Sequence, residues 1–196
     1  MAHPATLLAL ACALLLVPPA WAGRRDRSQE AAATASPGGS LEGFSKLEVV
    51  TVMPADGGGT VLLADTERTV VIPIAVGATE ALSIALRLER RRYERPLTHD
   101  LVDTVIRELG GELTEVRIDA LRSQVFTATA TLAQGKTSTR IDLRASDAIA
   151  LALGNGLPIW MADPVLAETG ILWKDFLGQP PPEPQLELPY EFQPEI

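Results

Sequence analysis

Strand-like and helix-like segments do not alternate regularly along this 196-residue chain. Three apolar, β-rich segments come first, followed by two helix-like segments and three further strand-like segments. A helix-like segment and a short strand close the pattern. A doubly wound parallel sheet needs strands and helices to alternate. The order therefore predicts a single α+β domain, with about three helices packed on a mixed or antiparallel sheet.

Turn residues and helix caps bound these elements. The first predicted helix begins at Ala78 and ends near Arg91, and the second runs from Thr98 to Leu109. The third begins at Ser146. Thr98 and Ser146 are the predicted N-caps of the second and third helices. A helical turn is predicted after Asp163. In the second helix the apolar residues recur at helical spacing and are expected to face the core. The predicted strands lie at 46–53, 60–64, 69–76, 112–121, 123–133, 137–144 and 157–161. The apolar residues of the second helix are Leu101, Val102, Val105, Ile106 and Leu109.

The two ends of the chain differ in composition from its centre. Residues 1–22 have an uncharged apolar run and a small-x-small site at Ala20-Trp21-Ala22, which predicts a signal peptide, with an uncleaved anchor as the alternative. Residues 23–40 are typical of a flexible linker, and the Pro- and Glu-rich residues 179–196 of a disordered tail. The domain is expected at 41–178. We expect export to the periplasm or the extracellular space, with no stable membrane insertion after cleavage.

Cysteine and histidine usage narrows the chemistry. Cys12, the single cysteine, and His3 both leave with the predicted signal peptide. A mature chain without a thiol has no disulfide, no cysteine nucleophile and no cysteine-ligated zinc. His99 is then the one remaining histidine. Any metal site would be mostly oxygen-ligated, which favours Mg²⁺, Mn²⁺ or Ca²⁺ over zinc.

The charge of the chain is acidic overall and basic at one place. The net charge is −8, and the core stays acidic when the four glutamates of the tail are set aside. A protein that binds nucleic acid through phosphate contacts alone is expected to be basic. The local exception is a run of arginines near the end of the first predicted helix. It fits a phosphate-facing patch and equally a solvated helix end. The arginines of this run are Arg87, Arg90, Arg91, Arg92 and Arg95.

Two polar clusters interrupt the apolar pattern, at 95–100 and at 142–147. Strand alternation along 137–144 puts Arg140, Asp142 and Arg144 on one face. Because the planar guanidinium group can hold two phosphate oxygens, that face could bind phosphate. It could equally be a solvated strand face with cross-strand ion pairs.

Helix ends offer a structural explanation for most of the other polar residues. Capping accounts for Ser146, and the helix dipole accounts for Asp147, Asp100 and Glu80. His99 has no such local role. Histidine is the residue that exchanges protons near neutral pH, although a single histidine can also be a structural hydrogen-bonding group.

At these clusters the chain resembles the bifunctional nuclease family, a bacterial and plant domain associated with DNase and RNase activity. The resemblance runs from about Lys46 to Leu166. Its central blocks are Arg95-Pro96-Leu97-Thr98-His99-Asp100-Leu101 and residues 141–152, which include Asp142, Arg144, Ser146 and Asp147. The family usually has proline where this chain has Ala145, so a rigid start of the last helix is lost.

The resemblance implies hydrolysis of phosphodiester bonds in DNA or RNA. Asp142, Asp147 and Glu80, or Asp100, would hold Mg²⁺ or Mn²⁺. The alternative is a non-catalytic module that binds an anion or a protein, in the form of a homo-oligomer. The resemblance also implies a catalytic group of His99, Asp100, Asp142 and Asp147, in which His99 is the general base or acid. The residues that would bind the substrate are Arg95, Arg140, Arg144 and Ser146.

Overall fold

A computed structural model describes residues 40–177. The predicted signal peptide, nearly all of the linker and the tail lie outside the described residues. The strands are β1 (Phe44–Ala55), β2 (Gly58–Asp65), β3 (Val70–Gly77), β4 (Glu112–Arg122), β5 (Val125–Gln134), β6 (Thr137–Arg144), β7 (Ile159–Ala162) and β8 (Ile171–Leu172). The helices are α1 (Ala78–Leu88), α2 (Thr98–Glu108), α3 (Ala145–Asn155), α4 (Asp163–Thr169) and α5 (Trp173–Leu177).

Within residues 40–177 the strands form one mixed sheet in the order β6-β5-β4-β7-β1-β2-β3-β8. Neighbours pair antiparallel except β4 and β7, which are parallel. The four-residue β7 joins the two halves of the sheet, since Ile159 pairs with Leu47 on one side and Val116 on the other. The predicted α+β domain with a mixed sheet is confirmed.

Strand alternation directs apolar side chains to both faces of the sheet. Val61 and Leu63 point into the main core, where α1 and α3 pack. Leu62 and Ala64 point to the other face, where Trp173 at the start of α5 covers them. None of the helices in residues 40–177 is long and apolar enough to cross a membrane.

The predicted elements are present, with corrections at the helix ends. The first helix ends at Leu88 rather than near Arg91, because Arg90 takes a left-handed conformation (φ 56°) and the Arg91 amide donates to the Leu86 carbonyl at 2.8 Å. The N-cap positions are Leu97 and Arg144, one or two residues before the predicted Thr98 and Ser146. The short β8 and α5 were not predicted.

The predicted buried face of α2 is wrong. Leu101 is 58% exposed and Leu109 68%, whereas His99 and Asp103 on the other face are buried. Helical spacing identified the apolar stripe correctly but not the direction in which it faces. The reason is that the polar face of α2 carries the partners of a buried arginine.

That arginine is Arg87, whose side chain is 7% exposed. Its Nη2 donates to Asp100 and lies 2.8 Å from Asp103 Oδ2, and its Nη1 donates to the Ala150 carbonyl at 2.9 Å. Asn155 Nδ2 donates to the other oxygen of Asp103 at 2.8 Å. The contacts connect α1, α2 and α3, because a buried charge is tolerated only when it is paired and hydrogen-bonded.

The guanidinium group reaches α3 only because residue 154 is glycine. A Cβ atom at Gly154 would lie 1.6 Å from Arg87 Nη1. We expect Gly154→Ala to lower the free energy of unfolding by about 2–4 kcal/mol, since it breaks a buried ion pair. Helix propensity alone predicts the opposite, a gain of about 1 kcal/mol. Urea denaturation of the two proteins measures the difference.

The same substitution in an Arg87→Ala background provides the control. With the guanidinium group absent, Gly154→Ala should no longer destabilise the fold. An equal loss in both backgrounds would show that the clash with Arg87 is not the cause.

Candidate functional site

The N-terminal ends of α1 and α3 lie side by side. Their N-caps, Gly77 and Arg144, make no side-chain cap hydrogen bond among the described residues. Glu80 stands in the first turn of α1 and Asp147 in the first turn of α3. Carboxylates are favoured there because the first turn of a helix carries a partial positive charge.

Arg144 connects the two carboxylates. Its Nε donates to Asp147 Oδ2 at 2.8 Å and its Nη2 to Asp147 Oδ1 at 2.9 Å, a bidentate pair. Nη2 also donates to Glu80 Oε1 at 2.6 Å. The Arg144 side chain is 64% exposed, and within residues 40–177 its Nη1 has no hydrogen-bond partner. One edge of the guanidinium group is therefore open to a ligand.

His99 extends the cluster into the core. Its Nε2 lies 3.2 Å from Asp147 Oδ1 and its Nδ1 lies 2.9 Å from Ser83 Oγ. An ionised carboxylate only accepts hydrogen bonds, so Nε2 carries a proton. In the neutral ring Nδ1 then accepts from the Ser83 hydroxyl. Ser83 is 2% exposed and His99 8%, so the hydroxyl is too buried to meet a large substrate.

Hydrogen bonds set the ionisation of the cluster. Partial burial opposes the charge of Asp147, but hydrogen bonds from Arg144 and His99 outweigh it and lower the pKa of this carboxyl. The pKa of Glu80 is lowered by its own backbone amide and by Arg144. The two carboxylates, Asp147 first, in turn raise the pKa of Arg144 above its ordinary range. Both carboxylates and the guanidinium group are therefore charged at neutral pH.

Of the predicted site residues, the structure brings Glu80, His99, Arg144 and Asp147 together. Asp100 lies in the Arg87 network instead, and its Oδ2 accepts from the Leu97 amide at 3.0 Å. Ser146 is half-buried in the first turn of α3. Arg95 is exposed in the connection between α1 and α2.

Asp142 and Arg140 lie on the edge strand β6, paired with Thr129 and Thr131 of β5. Asp142 is exposed, and it points away from the face on which its neighbour Leu143 packs against the main core. Within residues 40–177 Arg144 pairs with Glu80 and Asp147 but not with Asp142, and the three carboxylates do not form a cluster that could hold a metal ion. The polar pattern of 142–147 spans the end of a strand and the start of a helix, so its residues do not share one face.

The described residues do not provide a complete set of ligands for a metal ion. The structure contains no cluster of three or more histidine, cysteine or acidic side chains placed to hold an ion, within residues 40–177. Glu80 and Asp147 lie together, but both already accept hydrogen bonds from Arg144. The predicted set of Asp142, Asp147 and Glu80 does not fit a metal ion in this arrangement, and Mg²⁺ or Mn²⁺ stays a prediction.

Sequence reasoning missed Ser83, Asp103 and Asn155. Ser83 is a polar residue within the apolar segment of α1, which is the kind of signal that indicates a buried hydrogen bond. Asp103 stands one turn after His99, and its partner Asn155 is 52 residues away. No local pattern connects Asp103 with Asn155.

Comparison with known proteins identifies the family of this chain. A family model described as the bifunctional nuclease domain matches residues 61–174. The chain belongs to the bifunctional nuclease domain family. Two uncharacterised proteins of Mycobacterium tuberculosis, from strains CDC 1551 / Oshkosh and ATCC 25618 / H37Rv, are each 38% identical to it over 114 residues. That match covers 58% of this chain and 68% of each relative. The matched residues of this bifunctional nuclease domain include Glu80, His99, Arg144 and Asp147.

The ion pairs of Arg144 predict how the stability of the domain depends on pH. Glu80 and Asp147 have lowered pKa values when folded, so their contribution is complete above the unfolded values of about 4 and is lost as the pH falls through the folded ones. Arg144→Gln should lower the free energy of unfolding by less than about 1 kcal/mol at pH 7, because Arg144 is largely exposed. The difference should shrink towards pH 2. Thermal unfolding across this pH range measures it.

Arg122→Gln is the matched control, because Arg122 is exposed and has no ion pair among the described residues. Its effect should be small and independent of pH. A difference between Arg144→Gln and wild type that stays constant down to pH 2 would contradict the proposed linkage.

Proposed function

We propose that this domain hydrolyses phosphodiester bonds of DNA or RNA at the cluster of Glu80, His99, Arg144 and Asp147. The observation that carries the proposal is the open edge of Arg144, held at the meeting point of two helix N-termini. Membership of the bifunctional nuclease domain family supports the reaction class.

Arg144 and the start of α3 supply the contacts to phosphate. The open Nη1 of Arg144 can donate to a non-bridging phosphate oxygen, and the uncapped amides of the first turn of α3 point in the direction in which helices bind anions. Because the guanidinium group is already fixed by two carboxylates, little side-chain freedom is lost on binding. Arg144 can thereby stabilise the charge that develops as water attacks phosphorus.

The carboxylates are the groups placed to move a proton. Asp147 and Glu80 are ionised at neutral pH and partly exposed, so either can accept the proton of the attacking water and pass it to the leaving ester oxygen as the P–O bond breaks. The hydrogen bond from Nε2 of His99 orients Asp147, and Ser83 in turn holds the ring. The burial of His99 suits this positioning role better than the direct acid–base role expected from the sequence.

The charge of the cluster affects how closely the substrate can approach it. One guanidinium group faces two carboxylates, so with a neutral His99 the cluster is net negative, as is the substrate. A divalent cation brought with the nucleic acid would reduce the repulsion between them. We keep Mg²⁺ or Mn²⁺ assistance as a proposal that the hydrolysis assay tests directly.

The test is a hydrolysis assay on the purified chain with single-stranded and duplex DNA and RNA, in Mg²⁺, Mn²⁺ or EDTA. We expect Asp147→Asn to reduce the rate at least about 100-fold, because it removes a proton acceptor and the bidentate carboxylate that fixes Arg144. Asp175→Asn, an exposed and isosteric change on α5, should leave the rate unchanged.

Two outcomes would decide against the scheme. Equal cleavage by wild type, Asp147→Asn and Asp142→Asn would identify a contaminating nuclease. Cleavage that depends on Asp142 and not on Asp147 would move the chemistry to the other face of β6. Thermal unfolding of each variant confirms that a lost activity is not a lost fold.

A second candidate function is self-association, and the exposed apolar face of α2 favours it. Leu101, Val105 and Leu109 lie four residues apart on one stripe and are 58%, 47% and 68% exposed. The outer side of the edge strand β6 is also unpaired within residues 40–177. We propose a second copy of this chain as the partner, because an isologous contact lets one apolar stripe cover another.

Light scattering after size exclusion measures this association. We expect a dimer for the wild type and a monomer for the Leu101→Ser/Val105→Ser variant, with no fall in its unfolding temperature in dilute solution, since both side chains are exposed. The control is Leu172→Ser/Val125→Ser, which removes a similar apolar surface elsewhere and should stay dimeric. A monomeric wild type would refute the contact.

A further inference from the structure

A concave site lies at the C-terminal end of α1, away from the Arg144 cluster. It is a pocket of about 500 Å³ between the end of α1, the connection that follows it, and α2 and α3. This volume is in the range of small-molecule sites. Its wall includes Arg90, Arg91, Arg92 and Tyr93 from the connection, and Arg107 from the last turn of α2.

The pocket is basic in a chain that is acidic overall. Five arginines line it against three carboxylates, whereas the net charge of the chain is −8. Arg87 is already neutralised by Asp100 and Asp103, and these account for two of the three carboxylates. Arg91 pairs with Glu89 at 3.2 Å.

Three arginines of the wall are left without a carboxylate. Among the described residues, Arg90, Arg92 and Arg107 make no ion pair. Arg90 holds a left-handed backbone conformation (φ 56°), which a residue other than glycine, asparagine or aspartate adopts uncommonly. Like charges brought together in one concavity repel each other unless an anion is bound between them.

Tyr93 adds an aromatic ring to this arginine-rich wall. It is 41% exposed, although large aromatic side chains are usually buried more deeply. An exposed ring beside arginines is the combination with which proteins bind nucleotides, because the ring stacks on a base while the guanidinium groups hold phosphate.

We propose that this pocket binds a nucleoside phosphate unit, with Arg90, Arg92 and Arg107 around the phosphate and Tyr93 against the base. The choice of ligand rests on the proposed function, since the substrate there is a polymer of such units. The binding itself needs no hydrolysis.

The pocket and the hydrolytic cluster belong to opposite ends of one helix. Glu80 and Leu88 lie eight residues apart on α1, about 12 Å along its axis. A nucleic-acid strand advances about 3.4 Å per nucleotide, so three to four nucleotides span this distance. The pocket would then hold a strand at a set distance from the bond that is cleaved.

The experiment is calorimetric titration of the full chain with adenosine 5′-monophosphate, adenosine and inorganic phosphate. The monophosphate contains no phosphodiester bond, so its binding is measured independently of hydrolysis. We expect it to bind more tightly than either of the other two probes. The triple variant Arg90→Gln/Arg92→Gln/Arg107→Gln should weaken its binding by about tenfold or more, since it removes the charge-assisted contacts.

Tyr93 provides the second arm. Tyr93→Ala should weaken the monophosphate by about five- to 100-fold and leave inorganic phosphate unchanged, whereas Tyr93→Phe should keep the wild-type affinity because the ring remains. Arg122→Gln, which removes one positive charge outside the pocket, should have no effect. These changes involve exposed side chains, so the fold should be preserved.

The outcomes separate the two proposals. No binding of the monophosphate, or binding that the pocket variants leave unchanged, overturns the pocket assignment, whatever the hydrolysis assay shows. An affinity for the monophosphate no greater than for inorganic phosphate overturns the role of Tyr93. Binding lost in the pocket variants supports the pocket even if hydrolysis is absent, in which case the nuclease proposal alone fails.

Discussion

The buried ion pairs of Arg87 are the interaction on which the arrangement of the helices depends. A guanidinium group that is 7% exposed must be paired, and its partners Asp100 and Asp103 both lie on α2. The third contact, to the Ala150 carbonyl, connects the same group to α3. Gly154 permits this approach, because any side chain there would occupy the position of the guanidinium group. Removing both Asp100 and Asp103 would leave the buried guanidinium group unpaired, at a cost of about 3–5 kcal/mol.

This pairing turns the polar face of α2 inward, and two features of the surface follow. His99, one turn before Asp103, is carried into the core and meets both Ser83 and Asp147. The apolar stripe of α2 is left facing outward, where it can contact a second copy. The place of His99 in the proposed hydrolytic cluster and the proposed self-association surface therefore both result from the orientation of one helix.

The balance of charged side chains differs between the two ends of α1. At its N-terminal end Arg144 is outnumbered by Glu80 and Asp147, so the cluster is negative. At its C-terminal end arginines outnumber carboxylates. A nucleic-acid strand that contacts both ends would be held by the basic pocket and would meet the carboxylates where water must lose a proton. Under the two proposals, this division would let an acidic protein bind a polyanion locally, although its net charge of −8 disfavours general binding.

The sequence by itself determined the order and type of the main elements, the hairpin of β5 and β6, the α+β class and the family. Those features depend on local periodicity, turn residues and short motifs, which are visible in a single chain. Only the tertiary structure decided that α2 turns its apolar stripe outward, that Asp142 is not a partner of Arg144, and that Ser83, Asp103 and Asn155 complete the buried networks. Each of these depends on contacts between residues far apart in the chain, such as Arg87 with Ala150. The free energy gained by pairing the buried charge of Arg87 outweighed the free energy of burying the apolar stripe of α2. A pattern along the chain does not show which of these two terms is larger.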